Sequence, residues 1–378
     1  MAGLSKAPVS DFDAAVRLLS GGTNVAIYND LGLPSIYVKK PQGLLSDVIT
    51  TESSDVHPAF RVEGALIDAF YMGKYLARVY KGRALSLPLQ NPSSSSVATA
   101  DRGDASSNYV NFDNSKIWCE ANGPGFHLPT IAEYAWIALQ SRKNGTMPRG
   151  NNNYGKDHSA AWEKGIGASF DGDTIKKTLT GSGPATWNDN HKPDGICDLN
   201  GNVYEWQGGY RTDNGELQIF ADNNAAKQYG QGASSTLWRA ILQDGSLVDP
   251  GTAGSLKWDY VNGTPPSGTG SYGFRLNTVL ANPVDNDTAY GGVSFVNLAA
   301  ADGVTVPDLL KALALMPEDS ASYGGDYFYM RNRGERLVYR GGSWNGASGA
   351  GVFCAHGDIA RSYSHEYIGF RPAFIPGI

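Results

Sequence analysis

Apolar and polar positions along this chain change period every few residues, so few stretches predict a long helix or strand. Asp11 stands as an N-cap before residues 12–19, and Gly21-Gly22 closes the run, which predicts a short helix. Residues 24–28 and 35–38 flank a turn-rich stretch, Asn29 to Pro34, which predicts a hairpin. The polar residues 50–55 read as a linker. They divide a small N-terminal segment, residues 1–56, from a main body, residues 57–378. Alone, the segment buries too little core to stand free. It is expected to pack on the body or another subunit, or to attach the body to a larger particle.

In the main body, residues 65–79 are rich in Ile, Phe and Tyr and predict paired strands. Residues 92–108, with Ser93 to Ser96 in a row, predict a solvated loop. Thr130-Ile131-Ala132-Glu133 is a capping box ahead of an apolar face of Ile131, Tyr134, Ala135 and Ala138. It predicts a helix from Ile131 to about Ser141. Residues 142–185 form a Gly- and Asn-rich loop, and residues 210–335 mix short strands with turns. A second short helix is expected over residues 307–315, with Pro307 in its first turn. No regular internal repeat is visible.

Composition agrees with a turn-rich and strand-rich fold. Charged residues make 18%, below the ~25% norm, beside 47 glycines and 20 tyrosines among 378 residues. Lys and Arg sum to 31 against 37 Asp and Glu, a net charge of -6, which argues against broad nucleic-acid binding. No run approaches the ~18 apolar residues of a membrane span. Residues 1–11 lack the apolar core of a secretory signal. Cys119, Cys197 and Cys354 are odd in number and widely spaced, so buried thiols are expected.

Four segments stand out together and in order. They are Phe126-His127-Leu128-Pro129-Thr130-Ile131-Ala132-Glu133-Tyr134, Gly195-Ile196-Cys197-Asp198-Leu199-Asn200-Gly201-Asn202-Val203-Tyr204-Glu205-Trp206, Arg340-Gly341-Gly342-Ser343-Trp344 and Ile368-Gly369-Phe370-Arg371. This set resembles the sulfatase-modifying, formylglycine-generating enzyme family, a variant of the C-type lectin fold. The resemblance covers residues 56–378. It implies an α+β fold, the C-type lectin fold of the formylglycine-generating-enzyme type, irregular and with long loop insertions. Gly201-Asn202 then needs a tight turn. Gly341-Gly342 lets backbones approach beside Trp344. Trp206 and Trp344 are expected to anchor the core, and Arg371 to pair internally. In that family the second segment also binds a structural calcium. Carried over, Asp198 and Glu205 would supply carboxylates, and Gly201 and Val203 backbone carbonyls. The alternative is that Asp198 and Glu205 bond loop amides or arginines.

Catalysis in that family uses a copper-binding cysteine pair, and here those positions are Gly346 and Gly351. Cys354 alone cannot replace two thiolates. The related sulfoxide synthases need three iron-binding histidines, and the six histidines here show no such spacing. His356 with Asp358 suggests an acid/base pair, yet no activated nucleophile accompanies it. The expectation is a protein that is not an enzyme and requires no cofactor.

From Gly341 to Pro372 the chain resembles the variable region of diversity-generating retroelement proteins, the family of the phage tropism determinants, on the same lectin-type fold. The spacing matches from Gly341-Gly342-x-Trp344 to Gly369-x-Arg371 without a gap. In that family a reverse transcriptase miscopies adenines in chosen codons. Carried over one at a time, the varied positions fall on Ser343, Asn345, Ala347, Gly349, His356, Asp358, Ile359, Tyr363, His365, Tyr367 and Ile368. Randomising the adenines of an AAC or AAT codon never gives Lys, Glu, Gln, Met or Trp. All these residues lie in the reachable set, whereas Glu366, at an unassigned position, does not. Residues 343, 345, 347 and 349 alternate, as do 363, 365 and 367. In an extended chain such residues share one side, with Trp344, Gly346 and Ser348 on the other. The plain alternative is an ordinary solvated loop and strand face.

The resemblance implies a non-catalytic receptor-binding display protein with a hypervariable face, at a virion tail tip or on a cell surface. Its partner would be a protein or other macromolecule on a target surface, with homo-oligomer or particle attachment through the N-terminal segment. Tyr363, His365 and Tyr367 are the expected anchors. A formylglycine-generating or sulfoxide-synthase-type metalloenzyme and a structural phage protein are the rival readings. Whether the insertions around residues 85–115 and 210–335 frame the site stays open.

Overall fold

Asn29 turns the N-terminal hairpin: its side-chain oxygen accepts the N–H groups of Leu31 and Leu33, both at 3.0 Å. Strands Asn24–Tyr28 and Pro34–Pro41 pair antiparallel on either side. The computed structural model describes residues 11–95, 109–261, 271–283, 290–321 and 323–378. The preceding helix spans Asp11–Leu19, so it begins at Asp11 instead of after it. Buried Asp13 ties this helix to the hairpin, accepting the N–H of Ala26 at 2.8 Å and the Arg17 guanidinium at 2.7 Å.

The hairpin continues into a five-stranded sheet. Pro34–Pro41 pairs with Ala69–Gly73, which pairs with Ala373–Phe374, which pairs with Phe126–His127. Residues 24–41 thus share one sheet with the end of the chain. Lys40 adds a buried ion pair to Asp189 at 2.5 Å.

Helix Ile131–Lys143 lies in the main core, buried nearly all round. Its capping box is closed: Glu133 N–H donates to the Thr130 hydroxyl at 3.2 Å, and Thr130 N–H to the Glu133 carboxylate at 3.0 Å. The same carboxylate meets His127 Nε2 at 2.9 Å and Asn223 Nδ2 at 3.0 Å, so no buried oxygen is stranded. The helix packs with Val38 and Met72 of the first sheet and Tyr210 and Val338 of a larger second sheet. Trp136 meets Phe60 edge-on at 4.9 Å.

The second sheet carries the C-terminal region. Tyr204–Asp213 pairs antiparallel with Glu335–Gly341, which pairs with Gly351–Ile359, which runs parallel to Tyr327–Met330. Ile368–Gly369 joins Tyr204 and Glu205 in a short parallel pairing.

Two expectations need correction. Ser93 and Ser94 are fully buried, because Ser93 Oγ accepts the Val79 N–H at 2.9 Å and Ser94 Oγ accepts Lys177 Nζ at 2.7 Å. Residues 96–108 of that expected loop lie outside the described residues. The second helix is only Asp308–Ala312. It stops because Ala314 takes a left-handed conformation, φ 48°, and Leu315 N–H returns to Leu310 O at 2.9 Å.

That helix end explains one motif. Buried Arg340 donates to the Ala314 carbonyl at 2.7 Å, placing a cation on the negative end of the helix. Arg371, also buried, forms a two-pronged pair with Glu205, with Nη2 2.7 Å from Oε1 and Nε bonded to Oε2. It also donates to the carbonyls of Gly73 and Cys197, each at 3.0 Å.

Candidate binding face

Gly342 sets where the C-terminal region leaves its strand. Its φ is 85°, and a Cβ there would lie 2.3 Å from Ala350 Cβ, so only glycine fits. Trp344 then turns inward, 3% exposed, onto Leu76 and Val203. The segment after it is not extended. Residues Ala347–Gly349 form a 3-10 turn, with Ala347 N–H bonded to Asn152 O at 2.8 Å. The expected alternation therefore fails here. Ser343 is buried, not outward, with its hydroxyl on Asn345 Oδ1 at 2.8 Å. Ser348, expected inward, is exposed. Asn345 and Ala347 are exposed and Gly349 is half-buried.

Strand Gly351–Ile359 does alternate at its end. His356 and Asp358 share a face, with His356 Nδ1 3.0 Å from Asp358 Oδ1. An ionised carboxylate only accepts, so Nδ1 carries a proton, while Nε2 meets the Tyr204 hydroxyl at 3.2 Å. Burial alone would raise the Asp358 carboxyl, but His356 and Arg331 outweigh it and hold it below its ordinary range. The His356 ring stacks on Tyr329, centroids 4.1 Å apart. Asp358 is 9% exposed, and His356 and Ile359 are half-buried.

The chain then turns away, pinned by Arg361, which pairs with Glu335 at 2.8 Å and Asp113 at 2.7 Å. Tyr363, His365 and Tyr367 follow in irregular backbone, yet their rings form one stack. Tyr363 and His365 are nearly parallel at 6.4 Å, and His365 and Tyr367 lie 3.8 Å apart. Tyr363 is exposed, and the other two are half-buried. Partial burial lowers the His365 pKa, which keeps the ring neutral at pH 7. Tyr367 rests on Trp344 and Tyr204. Ile368 departs from expectation. It is fully buried, because it pairs with Tyr204 and packs into the core.

A cleft of about 690 Å³ opens beside this stack, with Asp358 and Tyr363 on one side and Tyr109, Tyr290, Arg331 and Arg336 around it. The last four escaped the sequence reading. They come from the insertions or next to them, and their only signal was residue type.

Of the four positions carried over for calcium, both carboxylates are engaged by protein groups. Both Glu205 oxygens are taken by Arg371, and Asp198 accepts the Gly181 N–H at 2.7 Å. Burial raises the Asp198 carboxyl to about 6, and Gly201 and Val203 lie in the tight turn between the two carboxylates. Among the described residues no group of three His, Cys, Asp or Glu side chains comes together. As for the copper-binding pair, a Cβ at Gly351 would lie 2.1 Å from Asp326 Oδ1, and burial pushes the Cys354 thiol up to about 12. No described helix is long and apolar enough to cross a membrane.

No protein-family model and no curated protein sequence matches the chain. The solved structures it is similar to include variable and tropism-determining proteins. Among them is the Major Tropism Determinant U1 variant, at 14% identity over 93% of this chain and 72% of that one, with a TM-score of 0.32. Another is Treponema denticola variable protein 1, at 14% identity over 93% of this chain and 99% of that one, with a TM-score of 0.32.

Proposed function

We propose that this chain is a non-catalytic receptor-binding protein, with a hypervariable face on a lectin-type scaffold diversified by a retroelement. Its partner is a protein on a target surface, and its place is a virion tail tip or a cell surface. The observation that carries the reading is the stack of Tyr363, His365 and Tyr367, seated on Trp344 and Tyr204. Broad, stiff rings with polar tips give contact area at little entropic cost. Within the same C-terminal region Trp344, Val352, Phe353, Cys354, Phe370 and Arg371 are buried and keep the shape when surface positions change. The working face comprises Asn345, Ala347, Gly349, His356, Asp358, Ile359, Tyr363, His365 and Tyr367. Buried Ser343 and Ile368 fall outside it.

Replacing Tyr363 and Tyr367 together tests the reading against a panel of surface proteins. Lost capture with intact folding supports display. Lost assembly into a particle with intact capture favours the structural phage protein. Stoichiometric copper or iron in the purified protein would favour the metalloenzyme. The flanking DNA gives a second test: a near-copy of the last part of the gene, differing mainly at adenines, beside a reverse-transcriptase gene.

A further inference from the structure

We infer that a cavity beside Ile131 and Leu313 binds a small primary amine with an apolar body, at a site that shares no residue with the binding face and stands independently of it. The cavity holds about 230 Å³. The buried side chains of Ile131, Ile219, Phe220 and Leu313 line it, with half-buried Leu309 and Asp222 nearer solvent. They come from the start of helix Ile131–Lys143, the end of strand Glu216–Phe220 and the short helix Asp308–Ala312 with the residue after it. An apolar cavity of about 150 Å³ lined by Leu, Ile and Phe stays dry and binds benzene. The larger volume here takes one ring with a short chain.

Asp222 sets the chemistry of the occupant. Among the described residues that line the cavity, it alone is charged. Its backbone is left-handed, φ 54°. An Asp in that conformation ordinarily bonds the backbone nearby through its side chain. Among the described residues the Asp222 carboxylate makes no such bond. Its one partner is the Arg61 guanidinium at 4.0 Å, and each side chain is 34% exposed. A pair that long and that exposed contributes little. Arg61 also donates to the Gly64 carbonyl at 3.4 Å, so its donors are shared. Burial raises the Asp222 carboxyl, and Arg61 offsets this only in part. An ammonium group supplies the hydrogen bonds this carboxylate lacks, while an apolar body fills the space beside it. An acid would be repelled, and a neutral molecule would leave the carboxylate unmatched. The thin stem of a partner's lysine would leave much of the volume unfilled, forfeiting contact with the walls.

The test is calorimetric titration of the full chain with phenethylamine, its neutral counterpart phenethyl alcohol, 3-phenylpropanoate and Nα-acetyl-lysine amide. Phenethylamine is expected to bind about tenfold tighter than the alcohol, and 3-phenylpropanoate more weakly than either. Asp222→Asn is expected to bring the amine down to the affinity of the alcohol and to leave the alcohol unchanged, which an unfolded variant cannot do. Leu309→Trp is expected to fill the cavity and weaken both by about tenfold or more. If Leu309→Trp does not fold, Asp222→Asn decides alone. The inference is overturned if phenethylamine does not bind, if the alcohol or the acid binds as tightly, or if the preference for the amine survives Asp222→Asn. It is also overturned if a folded Leu309→Trp variant binds the amine as well as wild type. Tighter binding of the lysine derivative overturns the small-molecule assignment.

Discussion

The hydroxyls of Tyr363 and Tyr367 lie 3.0 Å apart, closing a bracket around His365. The backbone from Tyr363 to Tyr367 is irregular, and at its end Tyr367 O accepts the Tyr204 N–H, at 2.8 Å. The rings are held by one another and by Trp344 and Tyr204 under Tyr367. The outer ring is thus free to change at small structural cost, and the inner ring is not.

Tyr363→Ala should therefore lower stability by no more than about 1 kcal/mol, the loss of one exposed hydrogen bond. Tyr367→Ala should cost about 2 kcal/mol, because it empties a half-buried site against two aromatic rings. Both should weaken capture of a partner by tenfold or more. Urea unfolding alongside a binding assay separates the two effects. Equal stability losses for the two variants would contradict the division into outer and inner rings.

Ala347 sits at φ 47°, a left-handed conformation that costs a side chain with Cβ about 1 kcal/mol. Asparagine tolerates it better, and the position is exposed. Ala347→Asn should raise stability by about 0.5 kcal/mol or more. A fall in the unfolding midpoint would show that the turn does not hold this geometry in solution.

Much of this architecture was legible in the chain because local rules fix it. The Thr130–Glu133 capping box, the hairpin around Asn29 and the Gly341-Gly342 approach depend on neighbours in sequence. Ser343 was misplaced because the two-residue alternation was extended across a segment that turns at Ala347. Ile368 was misplaced because its position was carried over from the resemblance, and here it enters a strand paired on Tyr204. Irregular backbone has no period to read. The cleft was illegible for another reason. Tyr109, Tyr290 and Arg331 converge only through pairings between distant strands, which no local pattern encodes.

Arg371 and Glu205 form a fully buried pair at the centre of the fold. Removing one partner leaves an uncompensated charge, at a cost of about 3–5 kcal/mol. Arg371→Met should accordingly unfold the chain at far lower urea than wild type. The double variant Arg371→Met with Glu205→Met should recover part of the loss, since no lone charge remains. A double variant no more stable than the single one would mean that the Arg371 bonds to Gly73 and Cys197 matter more than the charge pairing.

His57 gives a pH test of the core. It is fully buried against Trp136, accepts the Ala59 N–H at 3.2 Å on Nδ1, and donates from Nε2 to Ala312 O at 2.9 Å. Burial lowers its pKa from 6.5 to about 4, and the Ala312 carbonyl only partly opposes this. The unfolded chain takes up the proton as pH falls through 6.5, and the folded chain only near 4. The stability that neutral His57 contributes is thus fully present above pH 6.5 and lost as pH falls to about 4, a change of about 3 kcal/mol. His57→Gln keeps a donor and an acceptor without the titration. It should start less stable at pH 7 and lose less on acidification, so the two stability curves converge toward pH 4. Curves that stay parallel across that window would mean the ring is reached by protons, and by water, in the folded state.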